Sequence, residues 1–278
     1  MCGLAGIVTS PTRRSGADLG YIQGLFTELL VNSEHRGPHA TGVAVMDRYG
    51  GYCVAKEPMM ASEFVESARY RRLLNSIDGD TAMLMGHTRY PTRGSHLYNG
   101  NNHPLTSSEP IVGVHGKPVN SRAAYAVISH NGHIANSNLL FDATSLRRDA
   151  QVDSEILLRF VERNVCSKGI DVQGLTDDLL RCRGKLSMVV VSTNRPDQVL
   201  LIKGNMPLEI WHHPERRLLA YASEVQILEL SVGDDNGWRA LKIPPWRIVV
   251  VNTKRLLPMR CYQFACLSDA EVGGTKCP

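Results

Sequence analysis

Apolar positions along the first part of the chain alternate between strand-like runs and helical spacing. LAGIVTS is a short apolar run that ends at the turn signal Ser10-Pro11, which predicts a strand. In DLGYIQGLFTELLVNSEHR, apolar residues recur every three or four positions, which predicts a helix. TGVAVMD and GYCVAKE, joined by RYGG, predict a hairpin. ASEFVESARYRRLLNSI predicts a second helix with its cap near Ser62.

The rest of the chain continues as runs of strands separated by helices. TAMLMGHTRY predicts a strand, followed by an irregular stretch from Ser95 to about Arg122 and then by a strand, AYAVISH, with an NG turn. Three helices are predicted at SNLLFDATSL, DSEILLRFVERNV and IDVQGLTDDLLRC. Strands are predicted at KLSMVVVST, QVLLIKGN, RLLAYAS and WRIVVVNT, with a short helix at SEVQILEL. Hairpin-length connections favour antiparallel sheets, so the pattern predicts one α+β domain.

Composition and charge narrow the functional classes. Of the 278 residues, 43% are hydrophobic and 21% are charged, and the net charge is +4, so no basic footprint for nucleic acid is indicated. No apolar run approaches the ~20 residues that span a bilayer, and the start lacks the basic region of a signal peptide. The seven cysteines form no CxxC pair, which favours a reducing cytoplasm and predicts no metal site. We also expect no cofactor and no contact with membranes.

Four polar stretches lie where an apolar segment gives way to a loop: HRGPHATG, HTRYPTRGS, SHNGHIAN and QVDSE. Each has a purely structural interpretation. Arg36 could be a surface residue, Asn131-Gly132 could be only a hairpin turn, and Asp153 could cap the helix that follows. Cys2 could be a small buried hydrophobe in an edge strand.

Taken together, these residues also suit acyl chemistry on a free amino acid. An N-terminal Cys2 would carry its own base, because an α-amino group titrates near ~7.7–8.0. The Asn131 amide beside the Gly132 N–H could stabilise a tetrahedral oxyanion. The Arg89 guanidinium could bind a carboxylate in a bidentate manner, and Asp153 could bind an ammonium group.

The motifs MCGLAGIV, HRGPHATG, HTRYPTRGS, NNHPL, SHNGHIAN and QVDSE occur in an order that resembles the class II glutamine amidotransferases. These are N-terminal nucleophile (Ntn) hydrolase domains that release ammonia from glutamine. The motifs look closest to those of phosphoribosyl-pyrophosphate amidotransferase and of the glutaminase domain of glucosamine-6-phosphate synthase. The resemblance runs from Cys2 to about Leu230. It implies a four-layer αββα sandwich of two antiparallel sheets flanked by helices.

The resemblance also implies a role for each motif residue. Cys2 would be the nucleophile after removal of Met1, and Arg36 would brace the loop over the N-terminus. Arg89 and Asp153 would hold the α-carboxylate and α-ammonium of glutamine. The remaining implied roles are Thr92 assisting at the carboxylate and Asn131 with Gly132 forming the oxyanion hole. Arg93 departs from the family pattern, and we predict that it faces solvent.

The expected domain organisation is an amidotransferase domain over residues 2–250 and a C-terminal tail over 251–278 that could dock a partner. We interpret IVGVHGKPVNSR, residues 111–122, as part of an insertion whose His115-Gly116 imitates the SHNG motif without its Asn. Too few residues follow the matching region for a second catalytic domain. We therefore expect a stand-alone glutaminase that passes ammonia to a separate synthase.

Two alternative functions remain open from the sequence. The chain could be an Ntn hydrolase that acts on another amide, although Arg89 and Asp153 together suit a free amino acid. It could also be a non-catalytic module that binds glutamine or a partner protein. The sequence does not define an oligomeric state.

Overall fold

Two antiparallel β-sheets form the centre of the computed structural model, which describes residues 1–107 and 126–264. The strands, in chain order, are β1 Gly3–Thr9, β2 Ala40–Asp47, β3 Tyr52–Glu57, β4 Thr81–Arg89, β5 Leu105–Thr106, β6 Ala126–Ile134, β7 Val165–Cys166, β8 Gly169–Ile170, β9 Gly184–Ser192, β10 Gln198–Lys203, β11 Glu209–His213, β12 Leu218–Ala222, β13 Arg239–Leu241, β14 Arg247–Asn252 and β15 Arg255–Gln263. The α-helices are α1 Gly16–Asn32, α2 Ala61–Phe64, α3 Ala68–Leu74, α4 Ser137–Thr144, α5 Glu155–Arg163, α6 Val172–Leu179 and α7 Val225–Val232. Short 3₁₀ helices lie at Glu34–Arg36 and Asn99–Asn101.

The first sheet has seven strands in the order β13-β11-β12-β1-β4-β2-β3, and the second has six in the order β15-β14-β10-β9-β6-β5. β7 and β8 form a separate two-stranded ribbon. The N-terminal strand β1 is therefore central and pairs antiparallel with both β12 and β4. This position fixes the beginning of the chain inside the sheet.

Side-chain alternation along the strands gives each sheet two buried faces. Ala5 and Ile7 pack with α1, α2, α3 and α7 in one core, whereas Leu4 and Val8 belong to the core between the sheets. A third core lies between the second sheet and α4, α5 and α6. The layers are thus helix, sheet, sheet, helix, and the predicted αββα sandwich is confirmed.

Several predicted elements need correction. The helix predicted over ASEFVESARYRRLLNSI is two helices, α2 and α3, because Ser67 begins a new helix by accepting a hydrogen bond from Tyr70 N at 3.1 Å. The first of these helices begins at Ala61, close to the predicted start, but its N-cap residue is Met60, which makes no side-chain cap hydrogen bond. The turn predicted at Asn131-Gly132 is also absent: β6 runs straight through both residues to Ile134 while pairing with β9.

The C-terminal region contributes more to the sheet than the sequence pattern indicated. β15 pairs with β14 and forms an edge of the second sheet, so part of the predicted tail 251–278 is a regular strand. Residues 265–278 of that tail and residues 108–125, which hold most of the predicted insertion, lie outside the described residues. No helix in the described part of the chain has the length and apolar character required to cross a membrane.

Candidate active site

Cys2 immediately precedes β1 and lies beside the end of β4. Gly3 pairs with Thr88, which places Cys2 next to Arg89. A Cβ atom on Gly3 would lie 2.4 Å from Thr88 Oγ1, so this close approach requires glycine. Leu4 faces the space between the sheets, and strand alternation directs Cys2 and Arg89 to the same side.

The surroundings of Cys2 have opposing effects on the pKa of its thiol. Its Sγ donates a hydrogen bond to the Tyr90 carbonyl at 3.5 Å. Burial raises the pKa of the thiol, whereas the positive charges of the chain terminus, Arg89 and Arg36 act in the opposite direction. A cysteine thiolate here would be stabilised by three cationic groups.

Arg36 braces the main chain at the N-terminus. It is buried, and its Nε donates to the Cys2 carbonyl oxygen at 2.9 Å. Its Nη1 forms an ion pair with Glu224, which also accepts a hydrogen bond from His35 Nε2 at 2.9 Å. The sequence pattern indicated no role for Glu224, although Glu224 lies within the resemblance that runs to about Leu230. Arg36 thus contacts the protein's own backbone, in keeping with a bracing role.

Asn131 and Gly132 lie on β6, in the sheet opposite Cys2. Val127 on this strand faces the core between the sheets, so alternation turns Asn131 toward the first sheet. His87 Nε2 of β4 donates to the His130 carbonyl at 3.1 Å, which ties the two sheets together at this point. The Asn131 side chain is buried, and neither of its polar atoms has a hydrogen-bond partner among the described residues.

Arg89 is buried in the site, but its donors are already occupied. Its Nη1 donates to Asn102 Oδ1 at 2.6 Å and to the Ser95 carbonyl at 3.3 Å. Its Nη2 donates to the carbonyls of Arg93 and Gly94 at 2.7 and 2.9 Å. Both terminal nitrogens therefore hold the loop after β4, and a bidentate contact with a glutamine carboxylate would require this loop to release them.

Asp153 lies beside the end of β6 and is 3% exposed. Its Oδ2 accepts a hydrogen bond from Ile134 N and lies 3.2 Å from His133 Nδ1. Asp153 does not cap α5, whose N-cap residue is Ser154. Burial lowers the pKa of Arg89, and the negative charges of Cys2 and Asp153 oppose that shift, so all three groups share one electrostatic environment.

The loop formed by residues 90–95 contains Thr92 and Arg93 of the HTRYPTRGS motif. Thr92 is exposed, and no hydrogen bond of its side chain is found within the described residues, so its assistance at the carboxylate stays a prediction. The prediction that Arg93 faces solvent is wrong. Its Nη1 donates to Ser137 Oγ at 3.1 Å and its Nη2 to Asn138 Oδ1 at 2.8 Å, which attaches the loop to α4.

Across residues 1–107 and 126–264, no group of three or more His, Cys, Asp or Glu side chains is arranged to hold a metal ion. The site itself contains the Cys2 thiol, the surrounding guanidinium groups, the Asn131 amide and the Asp153 carboxylate. This set of groups suits nucleophilic attack on an amide carbonyl with stabilisation of the resulting oxyanion.

Comparison with known proteins yields curated relatives with more than one kind of name. The chain is 23% identical over 234 residues to a glutamine–fructose-6-phosphate aminotransferase of Buchnera aphidicola, covering 82% of this chain and 33% of that protein. It is 29% identical over 195 residues to an amidophosphoribosyltransferase of Synechocystis sp., covering 68% of this chain and 33% of that protein. The chain thus spans about a third of the length of these two curated relatives. No protein-family model matches it.

The fold has a counterpart among solved structures. The glutamine phosphoribosylpyrophosphate amidotransferase of B. subtilis superposes with a TM-score of 0.68 at 17% identity, covering 95% of this chain and 49% of that one. At this identity the likeness concerns the fold alone, a sandwich of two antiparallel sheets between helices. The chain is thus similar in sequence to a glutamine–fructose-6-phosphate aminotransferase and to an amidophosphoribosyltransferase, and it shares its fold with a solved amidotransferase.

Proposed function

We propose that this chain is a glutaminase that hydrolyses L-glutamine to glutamate and ammonia, and that the ammonia is used by a separate synthase. The observation that carries the proposal is the buried, unpartnered amide of Asn131 on the sheet facing Cys2. A buried polar group without a partner costs free energy, roughly 1–3 kcal/mol, so its retention calls for an explanation. Stabilisation of an oxyanion supplies one.

The proposed reaction begins after removal of Met1, which is 63% exposed and accessible to an aminopeptidase. The new α-amino group of Cys2 then serves as base, and the thiolate attacks the side-chain carbonyl carbon of glutamine. The negative oxygen of the tetrahedral intermediate accepts hydrogen bonds from Asn131 Nδ2 and Gly132 N. The carbon–nitrogen bond breaks as the ammonium of Cys2 gives its proton to the leaving nitrogen.

After ammonia has departed, a γ-glutamyl thioester remains on Cys2. Water hydrolyses this thioester in the second half of the reaction. The α-amino group takes a proton from the attacking water, the carbon–sulfur bond breaks, and glutamate and the thiol are formed. Asp153 would hold the substrate ammonium. Arg89 would hold the substrate carboxylate once the 90–95 loop releases its terminal nitrogens, with Thr92 nearby on the same loop. Arg36 and Glu224 keep the Cys2 carbonyl fixed throughout.

The direct test is glutamate release from glutamine by the purified chain, with loss of Met1 verified by intact mass. We expect turnover by the wild-type chain and none by Cys2→Ala. The exposed Cys166, which is far along the chain on β7, provides the matched control: Cys166→Ala should retain full turnover. Absence of turnover in the processed wild-type chain, alone and with candidate synthases, would favour a non-catalytic binding module.

The oxyanion role has its own test in Asn131→Ala. Loss of one donor to a developing oxyanion lowers kcat by roughly 100- to 1,000-fold, so we expect a loss of that size with a smaller change in KM. The exposed Asn194, which follows β9, is the control, and Asn194→Ala should leave kcat unchanged. Turnover by Asn131→Ala at the wild-type rate would remove this residue from the site.

A further inference from the structure

A cavity lies at the opposite end of β1 from Cys2. It has a volume of about 780 Å³ and is bounded by the segment after β1, the start of α1 and the turn between β11 and β12. β1 has seven residues, which at ~3.3 Å per residue separates the cavity from Cys2 by about 23 Å. The cavity is therefore distinct from the candidate active site.

Four arginines line this cavity: Arg13, Arg14, Arg216 and Arg217. Arg14 donates only to main-chain carbonyls, those of Arg216 at 3.1 Å and Ser10 at 3.2 Å. Arg217 Nη2 donates to Ser10 Oγ at 2.8 Å. Within the described residues, Arg13, Arg14 and Arg217 form no ion pair. Three guanidinium groups thus line one cavity without a direct ion pair, although the carboxylates of Asp18, Glu215 and Asp235 line the same cavity.

Arg216 is positioned by packing rather than by hydrogen bonds from its guanidinium. Its guanidinium carbon lies 3.9 Å from the centre of the Tyr21 ring, a cation–π arrangement. Its Nη1 and Nε form ion pairs with the carboxylates of Asp18 and Asp235, each at 3.6 Å and without a hydrogen bond. Arg216 Nε is buried and has no hydrogen-bond partner in the part of the chain that the structure describes.

The acidic residues of the cavity wall are mostly engaged elsewhere. Asp18 closes the capping box of α1 with Ser15. Asp235 accepts hydrogen bonds from the Tyr21 hydroxyl at 2.8 Å and Gly237 N at 3.0 Å, and lies 3.3 Å from His213 Nε2. Glu215 is exposed. The cavity wall therefore has arginine N–H groups that are available to a ligand, whereas the carboxylates of Asp18 and Asp235 accept hydrogen bonds from the protein itself.

The proximity of Arg14 and Arg217 has an electrostatic cost that an anion would remove. Burial lowers the pKa of Arg14, and the neighbouring Arg217 lowers it further, against the opposing effect of Asp18. An anion between the two guanidinium groups would replace this repulsion with two charge-assisted hydrogen-bond pairs.

We propose that the cavity binds a phosphate-bearing small molecule through Arg13, Arg14, Arg216 and Arg217. Guanidinium forks match the oxygens of a phosphate group, and four of them exceed what one carboxylate can accept. The volume lies in the range of small-molecule sites, and its concave shape suits a compact ligand. This binding site goes beyond the proposed glutaminase and does not depend on it.

Inorganic pyrophosphate is the probe for this site, and its binding to the full chain is measured by titration calorimetry without glutamine at constant ionic strength. Arg13 and Arg217 are exposed, so Arg13→Gln/Arg217→Gln removes two donors without disturbing the core. We expect binding to weaken by roughly tenfold or more. Arg72→Gln/Arg255→Gln removes the same charge at two exposed positions on α3 and β15 and should bind as the wild-type chain does.

Two results would overturn the proposal: no heat of binding with the wild-type chain, or equal weakening in the two double variants, which would indicate a general charge effect. Thermal unfolding of each variant verifies that both are folded. Because the readout is binding in the absence of glutamine, failure of this proposal is distinguishable from failure of the glutaminase assay.

Discussion

Gly132 occupies a position on β6 where a side chain has no room. Its φ is +148°, and a Cβ atom there would lie 1.9 Å from the Lys185 carbonyl oxygen and 2.8 Å from His130 Nε2. The Lys185 carbonyl belongs to β9, which pairs with β6 through this residue, so neither strand can move aside without breaking the ladder. A side chain at position 132 is therefore excluded, and pairing with β9 holds the backbone N–H proposed for the oxyanion hole in place.

We expect Gly132→Ala to lower the free energy of unfolding by about 1–3 kcal/mol, because it adds a strained backbone to a steric clash. Chemical denaturation checks the stability, and glutamate release should fall with it. Gly24 lies in α1, and a Cβ atom added there would meet open space, so Gly24→Ala is the control and should stabilise the chain by about 0.5–1 kcal/mol. Equal stability of the two variants would contradict the steric argument.

The same two residues show where sequence reasoning stops. The dipeptide Asn131-Gly132 is a strong local signal for a hairpin turn, yet it continues a strand because Asn131 and Gly132 pair with Ser187 and Leu186 on β9. That pairing joins segments more than fifty residues apart, and no local pattern encodes it. Glu224 was missed for a similar reason: its partner Arg36 is distant in sequence, and only folding brings them together.

At the scale of elements, strands with clear apolar runs were predictable, whereas the partly exposed edge strands β13 and β15 were not. The runs of β1, β4, β9 and β10 are buried over most of their length, so their sequences carry the signal. β13 is three residues long and largely exposed, and β15 alternates exposed with buried positions and contains Pro258. Such strands are held by their neighbours, which the sequence pattern does not reveal.

The 90–95 loop is the element through which the candidate site would accept glutamine, and it is attached at two points. Arg89 holds its main chain from β4, and Arg93 attaches it to Ser137 and Asn138 at the start of α4. Arg93 thus acts as a positioning residue in the proposed glutaminase, because it restricts where the loop carbonyls and Arg89 can lie.

We expect Arg93→Gln to raise KM for glutamine by about tenfold with little change in kcat, since it removes two hydrogen bonds that order the loop but no group that meets the reacting atoms. Steady-state glutamate release measures both constants. Arg148 donates to the same Asn138 Oδ1, at 2.9 Å, but is not part of the loop, so Arg148→Gln is a matched control that should leave KM unchanged. A fall in kcat alone would contradict a positioning role.

At the scale of the whole molecule, the sandwich buries a group of histidines beside the candidate site. The rings of His87 and His103 are 4.4 Å apart between centres, and those of His103 and His130 are 6.4 Å apart. Burial lowers the pKa of His87 to about 3 and lowers the pKa values of His103 and His130 as well. Arg89 and Lys56 add positive charge nearby, which further disfavours a protonated His103.

These shifts link the stability of the fold to pH. In the unfolded chain each histidine takes up a proton near its ordinary pKa of 6.5, whereas in the folded protein His87 stays neutral down to about pH 3. The unfolded state therefore binds more protons between these values. The stabilising contribution is fully present above pH 6.5 and is lost progressively as the pH falls below it.

For a buried histidine that stays neutral in the folded protein, lowering the pH from 7 to 5.5 should reduce the free energy of unfolding by about 1.3 kcal/mol. His103 tests this, because neither of its ring nitrogens has a hydrogen-bond partner among the described residues, so His103→Phe removes the titration while keeping an aromatic ring. Between pH 7 and pH 5.5, we expect the free energy of unfolding to fall less for the variant than for the wild-type chain, with a difference of about 1.3 kcal/mol. Denaturant unfolding at the two pH values measures this. His96→Phe, at a partly exposed position, should lose as much as the wild-type chain. Identical pH dependence in His103→Phe and the wild-type chain would mean that His103 is protonated in the folded protein, in conflict with its burial.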